Sequence, residues 1–272
     1  MKQDNPFYQE LTKITPPDEG ILLEIQNHLD QLTKPPGSLG ELEGLCLWLG
    51  RAQQTALPQA RKKRVLLFAG DHGVTASGVS PYPSEVTGQM IANMLAGGAA
   101  CSVLAKAVGA ELQLVDVGVK TPLAPHPQLI QAKVAPGTAN LALEPAMTQM
   151  QCVQALSLGW DLARKAKEEG VDLLGTGEMG IGNSTPAAAL YCALLGLEAD
   201  RVAGRGTGLN DGGLERKIMV IEQALQLHLP ECDRPFETLR RLGGLEIAAL
   251  TGCLLGAAAN GLPVIVDGFR MI

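Results

Sequence analysis

Aromatic residues are scarce in this chain, making up 3% of its 272 residues. Proteins that read single-stranded nucleic acid by stacking need several aromatic rings close together, and such a platform is missing. A basic surplus is missing too, with 22 Lys and Arg against 28 Asp and Glu and a formal net charge of -6. Phosphate-backbone binding needs a basic stripe, and the only candidate is the short run Arg61-Lys62-Lys63-Arg64. The six cysteines, Cys46, Cys101, Cys152, Cys192, Cys232 and Cys253, form no C-x-x-C pair and mostly fall in apolar helical stretches. That pattern predicts buried free thiols in a reducing compartment, not a disulfide framework or a zinc site. The polar start, Met1-Lys2-Gln3-Asp4-Asn5, has no apolar targeting core. The most apolar stretch, Leu245 to Ala259, is too short and too interrupted by glycine to span a bilayer. The expectation is a cytoplasmic protein that binds neither nucleic acid nor membrane.

What the chain has in quantity is apolar residues, 46% of the total, and glycine, 32 residues, above the usual share of ~7%. The glycines follow no fixed period and cluster as loops do, which excludes collagen. The apolar content is too high for a disordered chain.

Ile21, Leu22, Ile25, Leu29 and Leu32 recur at helical spacing after Pro16-Pro17-Asp18, and Leu39, Leu42, Leu45 and Leu49 repeat the pattern after Pro35-Pro36-Gly37-Ser38. These two helices precede any strand, so residues 1–60 are expected to form a small helical subdomain. Residues 61–272 are expected to form a parallel α/β domain. Its strands are the apolar runs Val65 to Ala69, Leu112 to Gly118, Val171 to Leu174 and Val264 to Val266. Helical patterns between them cover Ser84 to Leu95, Ala100 to Val108, Met147 to Glu169, Thr185 to Leu195, Gly213 to Leu227 and Leu245 to Ala259. The alternation predicts a Rossmann-like three-layer fold, a parallel sheet with helices on both faces and ligand loops at the carboxyl ends of the strands. No covering helix follows the last run, so that strand lies at an edge or the chain is shortened.

Four loops are expected at that sheet edge: Gly70 to Pro83, Gly118 to Pro127, Gly175 to Thr185 and Gly204 to Gly213. Gly175-Thr176-Gly177-Glu178-Met179-Gly180 fits G-x-G-x-x-G after a strand, which raises a dinucleotide site and an NAD-dependent dehydrogenase. Two features count against it. Glu178 would set a carboxylate beside the pyrophosphate, and the helix starts only after Ile181-Gly182-Asn183-Ser184. The same residues also read as a glycine-lined cradle in which Glu178 stabilises a developing cation or handles a proton, or as a helix start that Glu178 caps. Gly204-Arg205-Gly206-Thr207-Gly208, with Lys217 on the next helix, offers amides, a hydroxyl and a cation to a phosphate monoester; otherwise it is a flexible loop beside a solvated lysine. Asp71-His72-Gly73 at a strand end could hold a metal ligand pair or a catalytic histidine, but His28, His126 and His228 share no metal spacing with it. Bonds from Asp71 and His72 to neighbouring loops are the simpler expectation.

Taken in order, several segments resemble one family. They are Lys34-Pro35-Pro36-Gly37-Ser38-Leu39-Gly40, Gly70-Asp71-His72-Gly73-Val74, Tyr82-Pro83 with Val86-Thr87, Gly177 to Pro186, Gly204 to Gly208 and Pro263 to Phe269. The chain is similar to the nicotinate-nucleotide–dimethylbenzimidazole phosphoribosyltransferases, the CobT enzymes of cobalamin synthesis. The resemblance implies a homodimer and transfer of phosphoribosyl from nicotinate mononucleotide to 5,6-dimethylbenzimidazole, giving α-ribazole 5'-phosphate and nicotinate, without metal or cofactor. It implies that Glu178 faces the ribose and nicotinate, and that Gly206, Thr207, Gly208 and Lys217 hold the phosphate. It further implies that Gly177, Met179, Gly180, Gly182 and Asn183 form the substrate loop and that Tyr82 and Met90 line the azole pocket. The family's general base is a glutamate in a G-E-G-x-G segment beyond the D-G-F motif. This sequence reads Asp267-Gly268-Phe269-Arg270-Met271-Ile272 there. The expectation is therefore weak mononucleotide binding, exposed apolar surface around Val264 to Phe269 and little turnover by residues 1–272, as in a shortened, mononucleotide-binding homologue. Full-rate turnover would instead assign the proton to Glu85 or Glu178.

Overall fold

The computed structural model describes residues 9, 11, 12 and 14–267. Met1 to Asn5, and Gly268 and Phe269 of the last motif, lie outside the described residues.

Among the described residues the first two complete helices are α1 (Ile21–Gln31) and α2 (Glu41–Gln53). They pack where Gly50 lets the Ile25 side chain approach the α2 backbone. The Gln53 amide ties them to the rest of the chain by donating to the Asp172 carbonyl at 2.9 Å. Next come β1 (Lys63–Gly70), a 3-10 turn (Gly73–Ser77), α3 (Glu85–Leu95), α4 (Ala100–Ala107), β2 (Ala110–Gly118) and β3 (Leu129–Gln131). After them run α5 (Gln149–Glu168), β4 (Leu173–Met179), α6 (Ser184–Leu195), α7 (Ala199–Val202), α8 (Asp211–His228), α9 (Pro235–Leu242), α10 (Leu245–Ala259) and β5 (Val264–Ile265).

The five strands form one sheet in the order β3-β2-β1-β4-β5, with every pairing parallel. The alternating strands and helices produce the expected three layers. Leu67, Ala69, Leu112 and Leu114 face Ile91, Met94 and Ala105 of α3 and α4, while Leu66, Phe68, Val115, Val117 and Leu174 face α5 and α10. The chain leaves β1 toward β2 over one face and returns to β4 over the other. The carboxyl ends of β1 and β4 thus flank a topological switch point, where open α/β sheets leave a crevice.

α5 starts with a capping box: Thr148 Oγ1 accepts from the Gln151 N–H, and the Gln151 side chain accepts from the Thr148 N–H. α10 is apolar nearly all round because it is sandwiched between the sheet and α5. The basic run is absorbed by the fold. The Arg61 and Lys62 N–H groups donate to Asp172 Oδ2 at 2.9 and 2.8 Å, and Arg64 is buried between Glu111 and Glu169, each 2.7 Å away. The Arg64 hydrogen bond holds the Glu169 carboxyl below the usual carboxylate range.

Several expectations need correction. β4 runs on through Gly175 to Met179, so Gly175 and Gly177 are strand residues opposite Val65 and Leu67. A phosphate-binding turn cannot form inside a paired strand, and this overturns the dinucleotide reading of G-x-G-x-x-G. Gly204 to Gly208 follows α7 and not a strand. β3, α7 and α9 were not expected. Glu85–Ala107 is long and apolar enough by length and composition to cross a bilayer, a stretch longer than the one singled out from the sequence. It is broken by Gly97, in the left-handed region at φ +79°, into helices of 11 and 8 residues on the sheet. Among the described residues the last strand is an edge strand, and its Ile265 and the following Val266 are about half exposed.

All six cysteines are free, as expected. Burial pushes the thiols of Cys152 and Cys253 up to about 12, whereas Cys46 and Cys101 are only half-buried. Alkylation of the native chain near pH 8, mapped by peptide mass spectrometry, is expected to mark Cys46 and Cys101 and to reach Cys152 and Cys253 only on unfolding. Rapid native labelling of Cys253 would contradict the α5–α10 packing.

Candidate active site

β4 ends at Met179 because the chain must turn at Gly180. A Cβ there would overlap the Gly70 carbonyl oxygen at the end of β1, so only glycine permits the close approach. The turn Gly180–Asn183 closes with the Asn183 N–H donating to the Gly180 carbonyl at 3.1 Å. Gly182 takes φ +84° and lies against the Thr75 methyl group. The Ile181 N–H donates to Thr87 Oγ1 at 3.1 Å, fixing the turn to the start of α3.

This turn, with Glu178, Met179, Ser184, Val79, Ser80 and Thr207, lines a cleft of about 210 Å³ over the switch point. Glu178 is half-buried, and its Oε2 accepts from the Asn183 side-chain amide at 2.5 Å. Asn183 is buried and stands just before α6, so the carboxylate and the helix start form one wall of the cleft.

Lys217 comes from α8, which Asn210 begins by accepting from the Gly213 N–H, and reaches Ser184 behind the cleft lining. Its side chain is buried, and Nζ donates to Ser184 Oγ at 2.8 Å and to the Gly204 carbonyl at 2.9 Å. The lysine is therefore not solvated. Gly206, at φ +54°, sits directly over it, and a Cβ on Gly206 would lie 3.6 Å from Nζ and 3.0 Å from Ser184 Oγ. Thr207 Oγ1 reaches Ser80 Oγ at 3.4 Å and closes the cleft. Arg205 is turned toward the Leu209 carbonyl and Asp211, shaping the loop.

The structure thus brings together Glu178, Met179, Gly180, Gly182, Asn183 and Thr207, with Gly206 and the buried Lys217 beside Ser184. Gly177 stays in the sheet beside Leu67, and Gly208 continues the exposed loop at φ +109°. Neither Tyr82 nor Met90 lines this cleft. Tyr82 is half exposed, with its N–H donating to Ser80 Oγ at 3.2 Å. Met90 packs against the same helix-and-sheet cluster as Met179. Ser80 and Ser184 were not anticipated; the only signal for Ser184 was its place in Gly182-Asn183-Ser184-Thr185 ahead of α6. Asp71 bonds to a neighbouring loop, as the simpler expectation had it, its Oδ2 accepting from the Lys120 N–H at 2.7 Å, whereas His72 meets Glu246 in the helix α10. Among the described residues no group of three or more His, Cys, Asp or Glu is placed to hold a metal ion.

A carboxylate in the wall of a glycine-lined cleft, with a buried ammonium behind the lining Ser184, suits a substrate that is cationic at one end and anionic at the other. Comparison with known proteins agrees. A family model described as phosphoribosyltransferase matches residues 14–272. The chain belongs to the nicotinate-nucleotide–dimethylbenzimidazole phosphoribosyltransferase family. A member from Chlorobium chlorochromatii is 52% identical over 259 residues, covering 95% of this chain and 73% of the relative. One from Geobacter sulfurreducens is 50% identical over 261 residues, covering 96% and 74%. The crystal structure of CobT from Thermus thermophilus superposes with a TM-score of 0.85 at 45% identity, covering 93% of this chain and 75% of that one. The chain spans about three quarters of the length of these family members.

Proposed function

We propose that this chain transfers the 5-phosphoribosyl group of nicotinate mononucleotide to 5,6-dimethylbenzimidazole, releasing nicotinate and forming α-ribazole 5'-phosphate. The observation that carries the reading is a cleft at the switch point lined by Glu178 and by Ser184, whose hydroxyl is backed by the buried Lys217 ammonium. The 5'-phosphate lies over Gly206-Thr207-Gly208, with Lys217 and the start of α6 supplying positive potential. The ribosyl carbon then faces Glu178. As its bond to the pyridinium nitrogen breaks, the electron pair leaves with nicotinate and positive charge builds on the ribose. A carboxylate fixed by Asn183 stabilises that charge without having to reorganise. The azole nitrogen bonds to the same carbon, and its other nitrogen gives up the N–H proton to a base. Tyr82 and Met90 belong to the azole's side of the site in this reading. A homodimer in the cytoplasm, a helical subdomain over 1–60 and an α/β domain over 61–272 are parts of the same proposal.

The test is a single-turnover reaction with the chain in excess over nicotinate mononucleotide. α-Ribazole 5'-phosphate and nicotinate are expected in equal amounts, and only with azole present. Nicotinate release that ignores the azole would make the chain a hydrolase and overturn the transfer.

Lys217→Ala is expected to weaken nicotinate mononucleotide binding at least about tenfold, since a bond to a charged group contributes roughly 1.5–3 kcal/mol. Azole affinity should not change. Calorimetric titration of both ligands checks this, and equal mononucleotide affinity in the variant would remove Lys217 from the phosphate site.

A further inference from the structure

One buried pair of ionisable side chains plays no part in the chemistry above. His72, at the end of β1, and Glu246, in the first turn of α10, are both fully buried, with Nε2 and Oε1 2.6 Å apart. In the Nε2–H tautomer the imidazole donates and the Glu246 oxygen accepts. His72 Nδ1 and Glu246 Oε2 have no hydrogen-bond partner among the described residues.

Such a pair is a poor way to gain stability. Two ionisable groups leave water, two of their polar atoms stay unsatisfied, and an apolar pair of similar volume commonly does as well or better. The fold nevertheless clears space for it with three glycines. A Cβ on Gly244 would overlap the His72 ring, one on Gly70 would lie 3.0 Å from Glu246 Oε2, and one on Gly180 would lie 3.2 Å from His72 Nε2. The imidazole, beside the Gly70 carbonyl, is therefore part of the surface on which Gly180 rests. Gly180 is also the hinge of the turn that ends at Asn183, and Asn183 holds the Glu178 carboxylate.

We propose that the His72–Glu246 hydrogen bond is a positioning device: it locks the imidazole beneath Gly180, fixes the Gly180–Asn183 turn and so aims Glu178 at the ribosyl carbon. Neither side chain touches substrate. The kinetic consequence rests on the function proposed above, whereas the structural consequence does not.

Two variants separate positioning from packing. His72→Leu/Glu246→Leu keeps the volume apolar and removes the hydrogen bond. Glu246→Gln keeps an acceptor for Nε2–H and removes the charge. In the double variant the thermal midpoint should hold or rise while kcat falls about 10²-fold with KM for nicotinate mononucleotide little changed, the scale expected when a catalytic group shifts by about 1 Å. Glu246→Gln should recover most of that rate. Hydrogen exchange provides the arm that needs no turnover: the Ile181 and Asn183 amides should exchange about tenfold faster in the double variant, and amides in the middle of β1 should not. Wild-type rate and unchanged Ile181 and Asn183 protection in the double variant would overturn the proposal. So would a Glu246→Gln variant as slow as the double one, because charge and not position would then be the requirement. If the wild-type chain shows no transfer, the proposed function fails, and the exchange data still decide whether the pair holds the turn.

Discussion

Replacing Glu178 by glutamine is expected to slow phosphoribosyl transfer by roughly 10²–10³-fold, the usual cost of losing one preorganised electrostatic contact to a transition state. Nicotinate mononucleotide affinity should change only a few-fold. The substitution keeps the shape and leaves an oxygen that accepts from the Asn183 amide, which now meets Glu178 Oε2 at 2.5 Å. What it removes is the negative charge. That charge matters little to a ground-state ribose but strongly to a carbon becoming positive as the pyridinium departs, so the loss belongs in kcat. Pre-steady-state kinetics with azole at saturation separates the two quantities. An unchanged kcat would mean that the carboxylate only secures the start of α6.

The second large effect lies far from the cleft. Gly159 of α5 and Gly252 of α10 let the two helices approach so closely that a Cβ on Gly159 would overlap the Ala249 carbonyl, and one on Gly252 would overlap the Leu156 carbonyl. These obstacles are backbone atoms, so no rotamer change relieves them. Gly252→Val is expected to destabilise the chain by about 3 kcal/mol or more. For a domain of this size that lowers Tm by roughly 6–12 °C. Gly44 of α2 is the control. It has open space around its Cβ direction and no positive φ, so Gly44→Ala should stabilise by about 0.4–1 kcal/mol. Calorimetry on the two variants checks both signs. A Gly252→Val chain that melts with the wild type would contradict the helix contact.

The packing that sets these effects was only partly visible in the sequence. Continuous apolar runs such as Val65 to Ala69 announced buried parallel strands, and Leu245 to Ala259 announced a helix that the structure reproduces residue for residue. β4 was cut short because Gly175 and Gly177 read as loop. Their strand conformation comes from pairing with β1, a contact between segments about 110 residues apart that local propensity cannot express. β3 is three residues long and exists by pairing with β2. α9 is a short, polar helix, held where the Ala146 and Met147 N–H groups donate to the Arg241 and Arg240 carbonyls.

The site shows the same division. Glu178, Asn183 and the glycines between them form one contiguous segment and could be picked out directly. Lys217 could be named, but not its burial under Gly206 against Ser184, which depends on the docking of α8 onto α6. Nothing local joins His72 to Glu246, which are 174 residues apart. Of Gly204 to Gly208, Thr207 lines the cleft and Gly206 lies beside Ser184, and the loop arrives from α7 and not from a strand.

Where the mononucleotide lies is the decisive question, and a crystal structure of the chain soaked with nicotinate mononucleotide reads it directly. The phosphate is predicted over the Gly206–Gly208 amides above Lys217, with the ribosyl C1' turned toward Glu178 and the azole's side of that carbon left open. A phosphate bound elsewhere, or a ribose turned away from Glu178, would contradict it.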